Sequence, residues 1–150
     1  MPHTTWSLLI HVVFSTKDRA PLLAPALRVR LFDFLSAVAL NHQMKVEAIG
    51  GVEDHMHVLL AIRCTNTVSE CVQVLKAVSS KWLHDSFPDL AGFAWQQGYG
   101  AFSIGISQFR QTARYIEAQE QHHKRRTFEQ EWALFLKRHN IPYDEEFFAP

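Results

Sequence analysis

Residues 50–62 constrain the fold of this chain more than any other stretch. They run Gly-Gly-Val-Glu-Asp-His-Met-His-Val-Leu-Leu-Ala-Ile, a glycine pair suited to a tight turn and then an apolar segment that predicts a β-strand. Because side chains alternate across a strand, His55, His57 and Leu59 share one face. Imidazole is a frequent ligand of divalent metals, so the pair predicts a metal site. A histidine pair on a solvated strand face is the alternative.

Length and composition predict one globular domain over residues 1–150. The chain is 47% hydrophobic and 20% charged, and 150 residues are enough to bury a substantial core. We expect a cytoplasmic protein with no membrane partner, because the sequence has neither a secretory pattern nor an apolar run that could span a bilayer. The 2 cysteines are too few for a disulfide framework. A formal net charge of +0 argues against nonspecific coating of nucleic acid, although basic residues cluster locally.

The periodicity of apolar residues predicts an α+β, ferredoxin-like fold, in which two helices cover one face of an antiparallel sheet. We expect strands at 6–14, 45–49, 55–62, 93–95 and 101–104, and helices at 25–41, after the N-cap Thr67, from 107 to 123 and from Thr127 to about 139. An extended end is expected at 141–148. If Val58 and Leu60 face the two helices, the histidine pair points out of the other face, which this plan leaves open.

The helix predicted at 107–123 carries a second group of polar side chains. Ser107 is a good N-cap, and the helix carries a tyrosine on one of its faces. By their helical spacing from Tyr115, Gln119, His122 and His123 fall on the same face. We expect His122 and His123 to be surface or interface residues rather than metal ligands. An ordinary surface role is the alternative for Tyr115 and Gln119 as well.

These motifs together resemble the single-tyrosine transposases of the smallest bacterial insertion sequences, an IS200-like family within the HUH (His-hydrophobe-His) endonucleases. The resemblance lies in Gly-Gly-x-x-Asp-His-Met-His on a strand and Tyr-Ile-Glu-Ala-Gln on a late helix. His-Val-Val-Phe-Ser-Thr-Lys, Ser-Ser-Lys-Trp-Leu and Trp-Gln-Gln-Gly-Tyr-Gly-Ala-Phe-Ser are also similar to this family and to its domesticated relatives at repetitive palindromes. The resemblance covers nearly the whole chain.

The resemblance implies a single HUH transposase domain that nicks single-stranded DNA near hairpins and rejoins the strands. His55 and His57 would be metal ligands, Gln119 would be the third ligand through its amide oxygen, and a Mg²⁺ or Mn²⁺ ion would polarise the scissile phosphate. Tyr115 would be the nucleophile. A phenol is also an adequate leaving group, so a 5′-phosphotyrosine link can form and reverse without ATP.

The expected partners are single-stranded DNA with hairpins and a second copy of the chain. Four basic residues are candidate contacts to DNA phosphates, with a solvated face as the alternative: Lys17, Arg19, Lys124 and Arg125. Trp95 and Tyr99 are candidates for stacking on bases, or else core and turn residues. We expect a homodimer in which the tyrosine helix of one subunit reaches the histidine pair of the other, with a cis arrangement as the alternative.

Three other functions fit the same residues. A domesticated nuclease with a housekeeping role would share the cleavage chemistry. A ferredoxin-like module that binds DNA or RNA hairpins without catalysis would form no covalent adduct, and a histidine metallohydrolase would cleave without attachment to the DNA.

Overall fold

The computed structural model describes residues 3–142. Its four strands are β1 (Leu9–Ser15), β2 (Lys45–Gly51), β3 (His55–Ala61) and β4 (Gly100–Ile104), and its helices are α1 (Pro25–Asn41), α2 (Val68–Ser86), α3 (Phe109–Glu117), α4 (Gln119–His122) and α5 (Phe128–Arg138). The strands form one antiparallel sheet in the order β2-β3-β1-β4, which is the predicted ferredoxin-like arrangement. No helix within 3–142 has the length and apolar character needed to cross a membrane.

Helices α1 and α2 cover one face of the sheet, as predicted. Val58 and Leu60 of β3 point into this core, where they are 0% and 1% exposed. The two helices also meet each other: the ring of Phe34 stacks on that of Trp82 with centroids 4.6 Å apart. Burial of this apolar surface is the main term that stabilises the sheet against the two helices.

The opposite face of the sheet is covered by α3 and α5, so the prediction of an open face is wrong. Leu59 of β3 packs against Ile116 of α3, and both side chains are 0% exposed. Phe135 of α5 packs in a second cluster with Val13 and Phe102 of the sheet. The face of β3 that carries Leu59 is therefore covered by helices of the same chain.

Two predictions about the glycine pair and the segment after α2 need correction. Gly50 and Gly51 belong to β2, the turn follows at residues 52–54, and Gly98 has the only positive φ among the glycines within 3–142. The predicted strand at 93–95 is reduced to an isolated bridge between Thr16 and Trp95. Trp95 lies 9% exposed in the core and donates a hydrogen bond from Nε1 to Ser79, 2.9 Å away, so it is a core residue and not a base-stacking platform.

The helix predicted from 107 to 123 is divided. A 3₁₀ turn over Ile106–Gln108 precedes α3, and its start is held by Gln108 Oε1, which accepts a hydrogen bond from the Gly105 amide at 3.0 Å. Ser107 is therefore not the N-cap. The helix is interrupted at Ala118, whose φ of −99° and ψ of 21° separate α3 from α4.

The other helix ends lie where the sequence predicts them. The span of α1 is the predicted one, and Thr67 and Thr127 accept hydrogen bonds from the amides of Glu70 and Gln130, both at 3.2 Å, as N-caps of α2 and α5. The extended segment predicted at 141–148 lies, from residue 143 on, outside the described residues.

Gly50 is required because α3 passes directly over β2. A Cβ at this position would lie 1.9 Å from the carbonyl oxygen and 2.8 Å from the carbonyl carbon of Ile116. Those atoms are backbone, so they can move away only if the whole helix shifts. Ile116 follows Tyr115, and the glycine thus determines how closely the tyrosine helix approaches the sheet.

Substitution of this glycine tests the close approach. Gly50→Ala should lower the free energy of unfolding by about 1–3 kcal/mol, because overpacking forces α3 off the sheet. Gly92→Ala is the matched control: nothing lies within 4 Å of its Cβ position, and the change should stay within about 0.5 kcal/mol. Urea unfolding followed by circular dichroism measures both. Equal effects in the two variants would contradict the proposed contact.

Candidate active site

His55 and His57 stand side by side on β3 with ring centroids 5.3 Å apart and side chains that are 0% exposed. A second residue holds each ring through Nδ1. Asp54 Oδ1 accepts a hydrogen bond from His55 Nδ1 at 2.8 Å, and His11 Nε2 lies 2.8 Å from His57 Nδ1. This arrangement leaves both Nε2 atoms facing the space between the sheet and α5, which is the orientation that metal-binding histidines adopt.

Glu131 of α5 lies at the centre of this space. Its Oε1 is 2.8 Å from His57 Nε2 and 3.4 Å from His55 Nε2. Its Oε2 accepts hydrogen bonds from the Tyr115 hydroxyl and from Gln119 Nε2, the latter at 3.1 Å. The carboxylate is 3% exposed. One buried carboxylate thus joins the histidine pair to the tyrosine helix.

The structure brings four predicted site residues together within one chain: Tyr115, Gln119, His55 and His57. Despite the break at Ala118, the Tyr115 and Gln119 side chains reach the same oxygen of Glu131. Gln119 is 1% exposed. The tyrosine helix thus lies over the histidine pair of its own chain, which is the cis arrangement that the sequence left as the alternative.

His122 and His123 were predicted to be surface or interface residues, but both contact residues of the site. The His122 ring stacks on Tyr115 with centroids 4.6 Å apart. His123 Nε2 lies 3.0 Å from Gln119 Oε1, and its ring contacts His55 at 4.5 Å. Both residues are only partly exposed and form the rim of the site.

The charges in the site follow from burial and hydrogen bonding. Burial, and then the neighbouring Glu131 carboxylate, raise the pKa of Tyr115. Burial alone would raise the pKa of Glu131, but the side chains of His123, His55 and His57 lower it. At neutral pH the site therefore contains an ionised carboxylate and a protonated tyrosine.

The histidines differ in their protonation. Burial lowers the pKa of His57 to about 4 and that of His11 to about 3. Burial acts on His55 in the same direction, but the carboxylates of Asp54 and Glu131 raise its pKa. His57 is therefore neutral at physiological pH, which is the form that binds a metal.

The donor set fits a divalent cation. The atoms of His55, His57 and Glu131 that could coordinate an ion all lie within 4.8 Å of one another. His55 Nε2 is buried and, among the described residues, has no hydrogen-bond partner. A buried polar atom without a partner is costly, and a cation between the three side chains would satisfy it.

Sequence reasoning gave no role in this site to His11, Asp54 or Glu131, and it placed His123 at the surface. Asp54 was seen only as part of the turn before the histidine strand. The sequence does contain a signal for Glu131. It lies four residues before the apolar Phe135, which places it on the side of α5 that faces the sheet. A carboxylate on an apolar helix face usually has a buried partner.

A cavity of about 590 Å³, whose lining includes four basic and three acidic side chains, adjoins the site. Asp54 and His123, which both contact His55, form one wall of it, and the other lining residues include Arg19, Lys124, Arg125, Arg126 and Phe128. Arg19, Lys124 and Arg125 thus line the same cavity. Lys17 is exposed but does not line this cavity.

Comparison with known proteins agrees with the fold and the motifs. Residues 4–119 match the family model described as "Transposase IS200 like". The ISDra2 transposase TnpA of Deinococcus radiodurans is 24% identical over 76% of this chain and 85% of its own length. The transposase of insertion sequence element IS200 from Salmonella typhimurium is 27% identical over 70% of this chain and 72% of its own length. This chain belongs to the IS200-like transposase family.

Solved structures share the fold. A putative transposase from Deinococcus radiodurans superposes with a TM-score of 0.64 at 23% identity, over 79% of this chain and 95% of that one. A REP-associated tyrosine transposase bound to a REP hairpin superposes with a TM-score of 0.56 at 14% identity, over 77% of this chain and 70% of that one. At these identities the likeness is one of fold.

The buried histidines predict an acid-sensitive stability in metal-free protein. Folded His11 stays neutral at pH values where the unfolded chain takes up a proton, so its contribution to stability is lost as the pH falls from about 6.5. His11→Gln should therefore make the pH dependence of the free energy of unfolding shallower between pH 6.5 and 4, by up to about 1.4 kcal/mol per pH unit. Urea titrations in EDTA at several pH values measure this slope. A slope equal to that of the wild type would contradict the buried neutral state of His11.

Proposed function

We propose that this transposase is a metal-dependent enzyme that nicks single-stranded DNA near hairpins through a 5′-phosphotyrosine intermediate on Tyr115 and then rejoins strands. The observation that supports this most directly is that the Tyr115 hydroxyl and the His55–His57 pair meet through the one carboxylate of Glu131. Hairpin DNA is proposed as the substrate because a protein of this fold was solved bound to a REP hairpin.

Metal binding is assigned to His55, His57 and Gln119, with Mg²⁺ or Mn²⁺ as the ion. A divalent ion bound there would supply positive charge beside the scissile phosphate and the phenol. Asp54 and His11 hold the two imidazoles in the orientation that leaves Nε2 free for coordination. Gln119 is buried and donates to the same Glu131 carboxylate that the two rings face, so its amide has little contact with bulk water.

The chemical step is assigned to Tyr115. Its Oη forms a bond to the scissile phosphorus, the bond between phosphorus and the 3′ oxygen breaks, and that oxygen leaves as a 3′ hydroxyl after it takes a proton. The phenolic proton leaves along the hydrogen bond to Glu131. Attack by a 3′ hydroxyl on the phosphotyrosine reverses the step and restores the phenol, so rejoining needs no external energy.

DNA contact is assigned to the basic residues of the cavity beside the site. Arg19, Lys124 and Arg125 would hold phosphates, and Lys17 would contribute from the same loop as Arg19. Tyr99 is 40% exposed and remains a candidate for stacking on an unpaired base. Such contacts position the strand and carry most of the affinity.

We propose that the tyrosine acts in cis, since the described chain already brings Tyr115 to its own histidines. The homodimer implied by the resemblance stays a prediction that sedimentation at micromolar concentration tests. Leu59 lies on the sheet face that was predicted to be open, but it is 0% exposed in a single chain and supplies no apolar surface for a dimer.

Covalent capture tests the nucleophile. With single-stranded hairpins taken from palindromes that flank the gene and with Mn²⁺, the wild type should give an SDS-resistant protein–DNA species that Tyr115→Phe cannot form. Tyr99→Phe is the matched control and should keep the adduct, because it removes only the hydroxyl of an exposed tyrosine and keeps the aromatic ring. An undiminished adduct in Tyr115→Phe would move the nucleophile to another residue. Hairpin binding with no adduct in the wild type would favour the non-catalytic module.

The metal requirement is tested separately from binding. His57→Ala, or EDTA in the wild type, should reduce cleavage to background and leave hairpin affinity within a few fold, because affinity comes mainly from contacts to phosphates and bases. Cleavage on a sequencing gel and binding by fluorescence anisotropy give the two readouts. Full cleavage by protein from which all metal has been stripped would refute the metal assignment.

A further inference from the structure

We propose that Glu131 is itself a metal ligand, so that α5 completes the metal site. This inference rests on the metal binding proposed above. Helix α5 begins at Phe128, beyond residue 119, where the match to the family model ends. The carboxylate therefore lies outside the part of the chain that the family model matches.

The distances suit one ion shared by three side chains. Ligand atoms about 2.1 Å from an octahedral Mg²⁺ or Mn²⁺ ion lie roughly 3 Å from one another. Glu131 Oε1 lies 2.8 Å from His57 Nε2 and 3.4 Å from His55 Nε2. The three side chains converge from a strand and a helix on opposite sides of the same space.

The hydrogen bonds of His55 also leave a place for a cation. Its Nδ1 donates a hydrogen bond to Asp54, so Nε2 of the neutral ring presents a lone pair. Glu131 Oε1 presents lone pairs as well, and two acceptors repel each other unless a positive charge lies between them. His55 Nε2 is buried and, within residues 3–142, has no hydrogen-bond partner. A metal ion is the ligand that both atoms can share.

Burial of the carboxylate points the same way. Glu131 is 3% exposed, and its polar contacts within the described part of the chain are with histidine, tyrosine and glutamine side chains, none of which carries a permanent positive charge. A buried anion without a compensating charge is strongly disfavoured. A divalent ion on Oε1 would offset this cost.

The two oxygens of Glu131 then have different tasks. Oε1 faces the two imidazoles, and Oε2 accepts from the Tyr115 hydroxyl and the Gln119 amide. One side chain would therefore fix the distance between the metal and the nucleophile. The opposite interpretation is that the carboxylate occupies the place of the ion and has to leave before a metal binds.

Mn²⁺ binding by the full-length protein without DNA distinguishes these two roles. Electron paramagnetic resonance of free Mn²⁺ gives the dissociation constant for the wild type, Glu131→Gln and the control Glu129→Gln. Glu129 lies on the same helix, pairs with Arg19 and is 48% exposed, so its substitution makes the same change of charge outside the site. We expect Glu131→Gln to weaken Mn²⁺ binding by about 10-fold or more and Glu129→Gln to leave it within about twofold.

Equal or tighter Mn²⁺ binding by Glu131→Gln would overturn the inference, and tighter binding would identify the carboxylate as a competitor of the metal. If this variant does not fold by circular dichroism, Glu131→Asp takes its place. The aspartate keeps the negative charge, but its shorter side chain moves the oxygens away from the histidines. If Glu131 is a ligand, this variant should bind Mn²⁺ more weakly than the wild type. Unchanged Mn²⁺ affinity would overturn the inference. A wild type that binds no Mn²⁺ would refute the proposed metal site as a whole. A wild type that binds Mn²⁺ as tightly as Glu131→Gln would refute only the role of Glu131.

Discussion

The contact between Glu131 and the histidine pair is the interaction on which the arrangement of the second sheet face depends. It joins α5, near the end of the described chain, to β3 at the centre of the sheet. Tyr115 and Gln119 bind the same carboxylate, so α3 and α4 are oriented by it too. Apolar packing of Phe135 and Ile116 holds the helices to the sheet, but it is the carboxylate that aligns their polar groups.

Apolar side chains enclose Glu131 and the histidines that surround it, and this strengthens the hydrogen bonds between them. His11 and His57 lie beside the ring of Phe135, with centroids 5.1 and 6.0 Å away. Hydrogen bonds in such surroundings are electrostatically stronger than in water, and any partner that is missing costs more. The same enclosure explains why two of the histidines, His11 and His57, stay neutral.

The sequence predicts the sheet side of this site well because its information is local. Alternation along residues 55–61 assigns His55 and His57 to one face and Val58 and Leu60 to the other, and the structure agrees. Two-residue periodicity and the caps at Thr67 and Thr127 need no knowledge of distant residues. These features identify the fold and half of the site.

The remainder depends on contacts between distant segments, which local patterns do not encode. Glu131 meets His57 across 74 residues, and only the docking of α5 places them together. Gly50 was assigned to a turn because of its conformational freedom, whereas its role is to make room for Ile116 of α3. The open sheet face was inferred from the ferredoxin-like plan, which does not include the helices that follow it.

The complete burial of His55 and His57 has a consequence for how a substrate enters. Both side chains are 0% exposed beneath α5 and the segment before it, so a phosphodiester could reach them only if this cover moved. Segments at the periphery of a fold can open at a lower free energy than the core. Affinity for DNA would then include the cost of that opening, and the rate of cleavage would report how often the cover lifts.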